Sequence, residues 1–244
     1  MSSLVYTRFE LLRTLRNRRF MLLSLLIPLV LFFTIAAPRA HQIIGGTGIR
    51  FGLYYMVAMA SFGTMSAMLS SGARIAGERA VGWNRQLRIS PLPPRAYFRA
   101  KVLTAYMMAL VSMLALFASG IAVGVHLSGW RWLELTGLML VGLVPLAALG
   151  IMLGHLLTPD SIGPAMGGGV SLLALLGGTW FPLGHSGFLY DLAQYIPSYW
   201  LVQGSHVALG GSAWPLRGWI VIAVWTVVLA RLAQRAYQRD TGRV

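Results

Sequence analysis

The chain is a succession of long apolar runs, charge-poor throughout, separated by polar stretches. The runs are Phe20–Pro38, Phe51–Ala73, Val102–Val125, Leu133–Leu157, Ile162–Pro182 and Ala213–Ala233. A helix needs roughly 20 apolar residues to cross a bilayer, and each run is about that long. The pattern predicts an all-α, polytopic membrane protein with six transmembrane helices. The last run carries a complication. Only thirteen residues separate Arg217 from Arg231, about 20 Å of helix at 1.5 Å per residue. The last helix is therefore expected to begin before Arg217, with Pro215 in its first turn, and one or both arginines must snorkel.

Composition agrees. With 57% hydrophobic and 11% charged residues and a mean hydropathy of +0.68, the chain is too apolar for a soluble domain, where about a quarter of residues are charged. The net charge is +14, but the basic residues sit at the ends of the apolar runs, which orients a membrane protein and argues against nucleic-acid binding. With both termini inside, five arginines of the first nineteen residues, seven basic residues between Arg74 and Lys101, and Arg231, Arg235, Arg239 and Arg243 are cytoplasmic. Only Arg39, Arg50, Arg131 and Arg217 remain outside. That bias also counts residues 183–212 as a non-crossing segment.

Three polar or mixed segments stand out. Residues 1–19 place Leu4, Leu11, Leu12 and Leu15 on one helical face with Tyr6, Glu10 and Arg13 opposite, which fits an interfacial helix on the inner leaflet as well as a plain basic flank. Residues 74–101 hold six arginines and the only lysine, Lys101, against one acid, Glu78. Residues 183–212 are apolar enough to enter the outer leaflet. They are broken by Pro197, which has no amide donor, so a re-entrant pair of short helices and an interfacial loop are both open. Tyr195, Tyr199 and Trp200 are candidate plug residues there.

Little in the chain carries catalytic chemistry. There is no cysteine. The one lysine is followed by Val102, so the Lys-Ser/Thr step of a phosphate-binding loop is missing. His41, His126, His155, His185 and His206 have no metal-ligand spacing, and no metal site or catalytic residue is expected. The six acids, Glu10, Glu78, Glu134, Asp160, Asp191 and Asp240, all lie in loops or at run ends. An ion-coupled carrier usually places an ionisable relay within the membrane, so this distribution weighs against one. In the second run Ser61, Thr64 and Ser71 share a face, either lining a path for an amphipathic substrate or packing with their hydroxyls bonded internally. The pairs Gly120/Gly124, Gly150/Gly154 and Gly163/Gly167 have the spacing that lets helices approach closely.

The segment GERAVGWNRQLRISPLPPRAYFRAK resembles the intracellular loop of ABC-2-type transporter permeases. The matching residues are Glu78, Arg79, Gly82, Leu87, Ser90, Pro91, Leu92 and Lys101. A second stretch, GGTWFPLGHSGFLYDLAQYIPSYWLVQG, is similar to that family's segment between the fifth and sixth spans, with Phe181-Pro182-Leu183 and Pro197-Ser198-Tyr199. The family loop often has a second acid where this chain has Ala80 and Val81. The outer segment often ends in Arg where Gly204-Ser205-His206 stand here. Both departures bear on the subfamily.

The resemblance implies one ABC-2-type transmembrane domain over residues 1–244. It implies the permease half of an ATP-driven exporter of hydrophobic or amphipathic, drug- or antibiotic-like compounds in a bacterial plasma membrane. It further implies two copies of a separate ABC ATPase and a second permease protomer. No cofactor is expected in this chain, ATP-Mg being held by the ATPase. Glu78, Arg79, Gly82, Trp83, Leu87 and Pro91 would form the ATPase-coupling segment, and Phe181, Pro182, Pro197, Tyr199 and Trp200 an outer gate. A secondary transporter and a permease for polysaccharide or lipid-linked glycan are the alternatives.

Overall fold

A computed structural model describes residues 3–45, 48–83, 92–180, 183 and 186–241. Among the described residues ten α-helices follow one another: α1 (Ser3–Arg16), α2 (Arg18–Leu31), α3 (Phe51–Ala80), α4 (Pro94–Ala122), α5 (Gly129–Gly142), α6 (Val144–Leu156), α7 (Pro159–Leu176), α8 (Phe188–Ala193), α9 (Pro197–Ser205) and α10 (Leu216–Thr241). Among the described residues the only strand pairing is one isolated bridge between Ile43 and Arg50. It closes the loop between α2 and α3.

Among the described residues, four helical stretches are long and apolar enough to cross a membrane: Phe51–Ala80, Pro94–Ala122, Gly129–Leu156 and Leu216–Asp240. They correspond to the expected second, third, fourth and sixth spans. The expected first and fifth spans fall on α2 and α7. α2 runs on without a break through Phe32–Ala36 and Ala37–Arg39. The Phe32–Ala36 part is a π turn, one turn beyond the helix-interior Pro28. α7 is 18 residues with Pro164 and a glycine run inside it. The Gly129–Leu156 stretch breaks at Leu143 between α5 and α6, where Pro145 removes an amide donor.

The spans also begin and end away from their hydropathy boundaries. α3 continues past Ala73 to Ala80, and α4 begins at Pro94, eight residues before Val102. Much of the polar segment 74–101 is therefore helix. Polar residues such as Arg74, Glu78 and Lys101 ride on helices whose apolar parts are buried elsewhere. α10 starts at Leu216, directly after Pro215, as the Arg217 spacing requires.

α3 is the central helix, packed by α2, α4, α6, α7 and α9. Met56, Met59, Met65 and Met68 are fully buried along it, filling irregular gaps with flexible side chains. Its crossing with α6 depends on glycine. A Cβ on Gly72 would strike the Gly150 carbonyl, and one on Gly154 would lie 2.7 Å from the Gly72 carbonyl. The Gly150/Gly154 pair therefore sets a backbone-to-backbone approach. Gly120 instead makes room for Met56, while Gly163 and Gly167 have nothing within 4 Å and face out of the protomer.

Candidate functional site: two ion clusters at the stem of the 74–101 segment

α1 buries its polar face. Thr7, Glu10 and Thr14 are inaccessible, while Leu4, Phe9, Leu12 and Leu15 stay exposed. The buried face meets the last turns of α3 and the first turns of α4. There Lys101, 1% exposed, donates from Nζ to Glu10 Oε1 and to Glu78 Oε2, both at 2.6 Å. Arg13 Nη1 donates to Glu78 Oε1 at 3.2 Å, and Arg74 Nη2 lies 3.7 Å from Glu10 Oε1. Arg74 also donates to Thr14 Oγ1 at 2.6 Å. A buried ammonium is tolerated only when paired and hydrogen-bonded, and the two carboxylates supply that. Burial pushes the Glu10 carboxyl up, but Lys101, then Arg74 and Arg13, outweigh it and hold it below the usual carboxylate range.

Arg79, the next residue after Glu78, points to a second cluster. Its Nη2 lies 2.7 Å from Asp240 Oδ1 on α10, and its Nη1 donates to the Gly154 and Leu157 carbonyls at 3.1 and 3.0 Å. It therefore satisfies carbonyls left open at the end of α6. His155 Nδ1 is 3.0 Å from Asp240 Oδ2, and His155 Nε2 is 3.3 Å from the Tyr97 hydroxyl. A carboxylate only accepts, so Nδ1–H donates to Asp240 and the bare Nε2 accepts from Tyr97. Tyr237 of α10 stacks on Tyr97 at 5.6 Å and meets His155 edge-on at 5.4 Å.

The two adjacent residues Glu78 and Arg79 thus tie the end of α3 to α1 and α4 on one side and to α6 and α10 on the other. From this stem the chain turns outward. Val81 donates to the Gly77 carbonyl, and Gly82 takes φ +73°, a left-handed conformation that ends a helix and favours glycine. Trp83 is half-buried. Beside it a cavity of about 460 Å³ opens between α1 and the end of α3, lined by Tyr6, Phe9, Glu10, Arg13, Val81 and Trp83. Leu87 and Pro91 lie outside the described residues.

The other end of the bundle holds α8 and α9. Ser61 Oγ donates to Ser205 Oγ at 3.1 Å, and Tyr54 faces His206 at 6.5 Å. This places the segment at the N-terminal half of α3, seventeen residues or about 25 Å of helix from Glu78. α9 is nine residues and α8 six, so neither crosses a bilayer alone. Pro197, Tyr199 and Trp200 are buried within the protomer. Trp200 packs on Gly218, where a Cβ would lie 2.6 Å from its ring, and donates from Nε1 to the Gln194 carbonyl at 2.9 Å. Tyr195 is 62% exposed, under the Arg217 guanidinium at 4.7 Å. Phe181 and Pro182 lie outside the described residues.

Ser61, Thr64 and Ser71 are all buried. Thr64 bonds the Ala60 carbonyl at 2.8 Å and Ser71 that of Met68 at 2.7 Å, while Ser61 bonds Val57 and Ser205. Within the protomer they pack a buried interface with their hydroxyls bonded. Sequence reasoning placed Glu78 and Arg79 but not the partners that give them meaning. Glu10 read as part of a solvated helix face, and His155 and Asp240 as isolated residues. The one usable signal was that Lys101 is the sole lysine among twenty basic residues.

A bundle of membrane-length helices with a polar, ion-paired stem at one end and broken short helices at the other has the form of a membrane transport subunit. The chain belongs to the ABC-2 family transporter proteins, whose family model matches residues 46–233. It is 28% identical over 248 residues to the putative transport permease YvfS of Bacillus subtilis strain 168, covering 96% of each chain. Glu78, Arg79, Lys101 and His155 fall within the family match; Glu10 and Asp240 lie outside it.

Proposed function

We propose that this permease is the membrane half of an ATP-driven exporter that moves hydrophobic or amphipathic, drug-like compounds out across a bacterial plasma membrane. Two protomers span it six times each, with α2 and α7 as the two further spans and both termini in the cytoplasm. ATP is hydrolysed on two copies of a separate ATPase that dock on the 74–101 segment.

One observation carries this reading: Glu78 and Arg79 fasten the stem of that segment to four other helices. A force applied by a partner at residues 81–93 reaches α1 and α4 through Lys101, and α6 and α10 through Asp240. Trp83 and the cavity beside it offer an apolar seat with basic neighbours, matching a groove with an acidic rim. The exposed leucine stripe of α1 rests on the inner leaflet. α8 and α9 close the outer end.

The test is capture. Tagged permease, expressed in its native host and purified in mild detergent, should bring down an ATPase whose activity it alters. Trp83→Ala should weaken capture while leaving the permease folded. Recovery of the wild-type chain without any ATPase, combined with transport that needs none, would reject the reading.

A further inference from the structure

A groove on the outer surface of the protomer lies between α4, α6 and α10 and is open to the surroundings. Its volume is about 550 Å³. Phe98, Val102 and Tyr106 form one wall at successive helical turns, and Ala147, Ala148 and Ala230 make the recess by being small. The Tyr106 hydroxyl is tied to the Leu140 carbonyl at 2.9 Å, which leaves the ring as apolar surface. From Arg95 to Tyr106 the groove follows eleven residues of α4, about 16 Å of helix. That is half of the roughly 30 Å hydrocarbon core, the depth of one leaflet.

The mouth is polar and positive. Arg95 and Gln234 line it, and both are exposed. Arg95 stands in the first turn of α4, which contains no acid, so its charge adds to the positive end of the helix dipole instead of being offset. An apolar channel one leaflet deep with an exposed cation at its basic end is complementary to a two-part ligand: an acyl chain below and an anionic head above.

We propose that this groove is a binding site for one anionic phospholipid of the inner leaflet. Its acyl chain lies along Phe98, Val102 and Tyr106, and its phosphate faces Arg95 with Gln234 as a further donor. The lipid's source is the leaflet itself, whose anionic surface concentrates such heads near basic residues. The leaflet assignment rests on the cytoplasmic placement of the basic end given above; the binding chemistry does not.

Purified full-length chain in neutral detergent separates the two, because binding there has no sidedness. Retained lipid is counted by native mass spectrometry during titration with phosphatidylglycerol or phosphatidylcholine. One phosphatidylglycerol should be retained roughly tenfold more tightly than phosphatidylcholine, the effect of one charge-assisted contact. Arg95→Gln should remove that preference and Arg95→Lys should keep most of it. Ala230→Trp, at an exposed position, should fill the recess and weaken both lipids. Unchanged phosphatidylglycerol retention in Arg95→Gln, or in a folded Ala230→Trp, would overturn the proposal. Cysteine labelling of intact cells reports sidedness separately, so a reversed topology would reassign the leaflet without touching the site.

Discussion

Replacing Lys101 with Met tests the cluster it forms with Glu10 and Glu78 most severely. The substitution keeps the length of the side chain and removes the cation that both Glu10 and Glu78 face at 2.6 Å. Removing one partner of a buried pair typically costs 3–5 kcal/mol, because an uncompensated charge stays behind. Two things soften this. Arg13 remains 3.2 Å from Glu78 and Arg74 3.7 Å from Glu10, and the two carboxylates can share a proton. The expected loss is therefore at the low end, about 3 kcal/mol. For a chain of this size that lowers Tm by roughly 6–12 °C, at about 2–4 °C per kcal/mol. Thermal unfolding in detergent micelles, followed by far-ultraviolet circular dichroism, measures it. Lys101→Met combined with Glu10→Gln should regain part of the loss, since one stranded carboxylate is gone. The single variant should also recover as pH is lowered toward the carboxylate range. A loss of only 1 °C, or a double variant no better than the single one, would refute a cluster in which Lys101 balances both acids.

Four further outcomes follow from the same geometry. The folded-state pKa of Glu10 is depressed, so its stabilisation is present above its unfolded pKa, about 4.3, and is lost as pH falls through the lower folded value. Wild-type Tm should therefore be insensitive to this group near neutrality and fall below about pH 4.3, with a smaller fall in Glu10→Gln. Gly82→Ala should cost about 1–2 kcal/mol through its positive φ, since among the described residues, chain neighbours aside, no atom lies within 4 Å of the added methyl; chemical denaturation of wild type and variant compares them. Gly72→Val should cost more than the 1–3 kcal/mol of ordinary overpacking, since its side chain meets the Gly150 backbone, and is read as reduced yield of monodisperse protein. Asp240→Asn removes the charge that Arg79 and His155 share; proteolysis should then release the end of α10 sooner while the rest of the bundle stays protected.

How much of this was visible in the sequence divides by range. Apolar length is a local property, so the four membrane-length stretches were legible, as was the start of α10 before Arg217. Span boundaries were not, because Arg74–Ala80 and Pro94–Lys101 continue their helices with polar residues that hydropathy assigns to a loop. The break within residues 183–212 was legible at Pro197, which opens α9. Its buried aromatic packing was not, since Trp200 depends on Gly218 across the fold. The same holds at the stem. Glu78 and Arg79 were singled out, but Lys101, Glu10 and Asp240 lie 23, 68 and 162 positions from Glu78. No periodicity links residues that far apart.

The most direct test of the account concerns energy. Inside-out membrane vesicles containing the permease and its captured ATPase are given a panel of fluorescent amphipathic dyes, with ATP held constant by a regenerating system. A protonophore is then added to collapse the proton gradient. The account predicts ATP-dependent dye accumulation that continues after the gradient is gone. Accumulation that stops with the protonophore while ATP is maintained, or that runs on an imposed proton gradient without ATP, would contradict it.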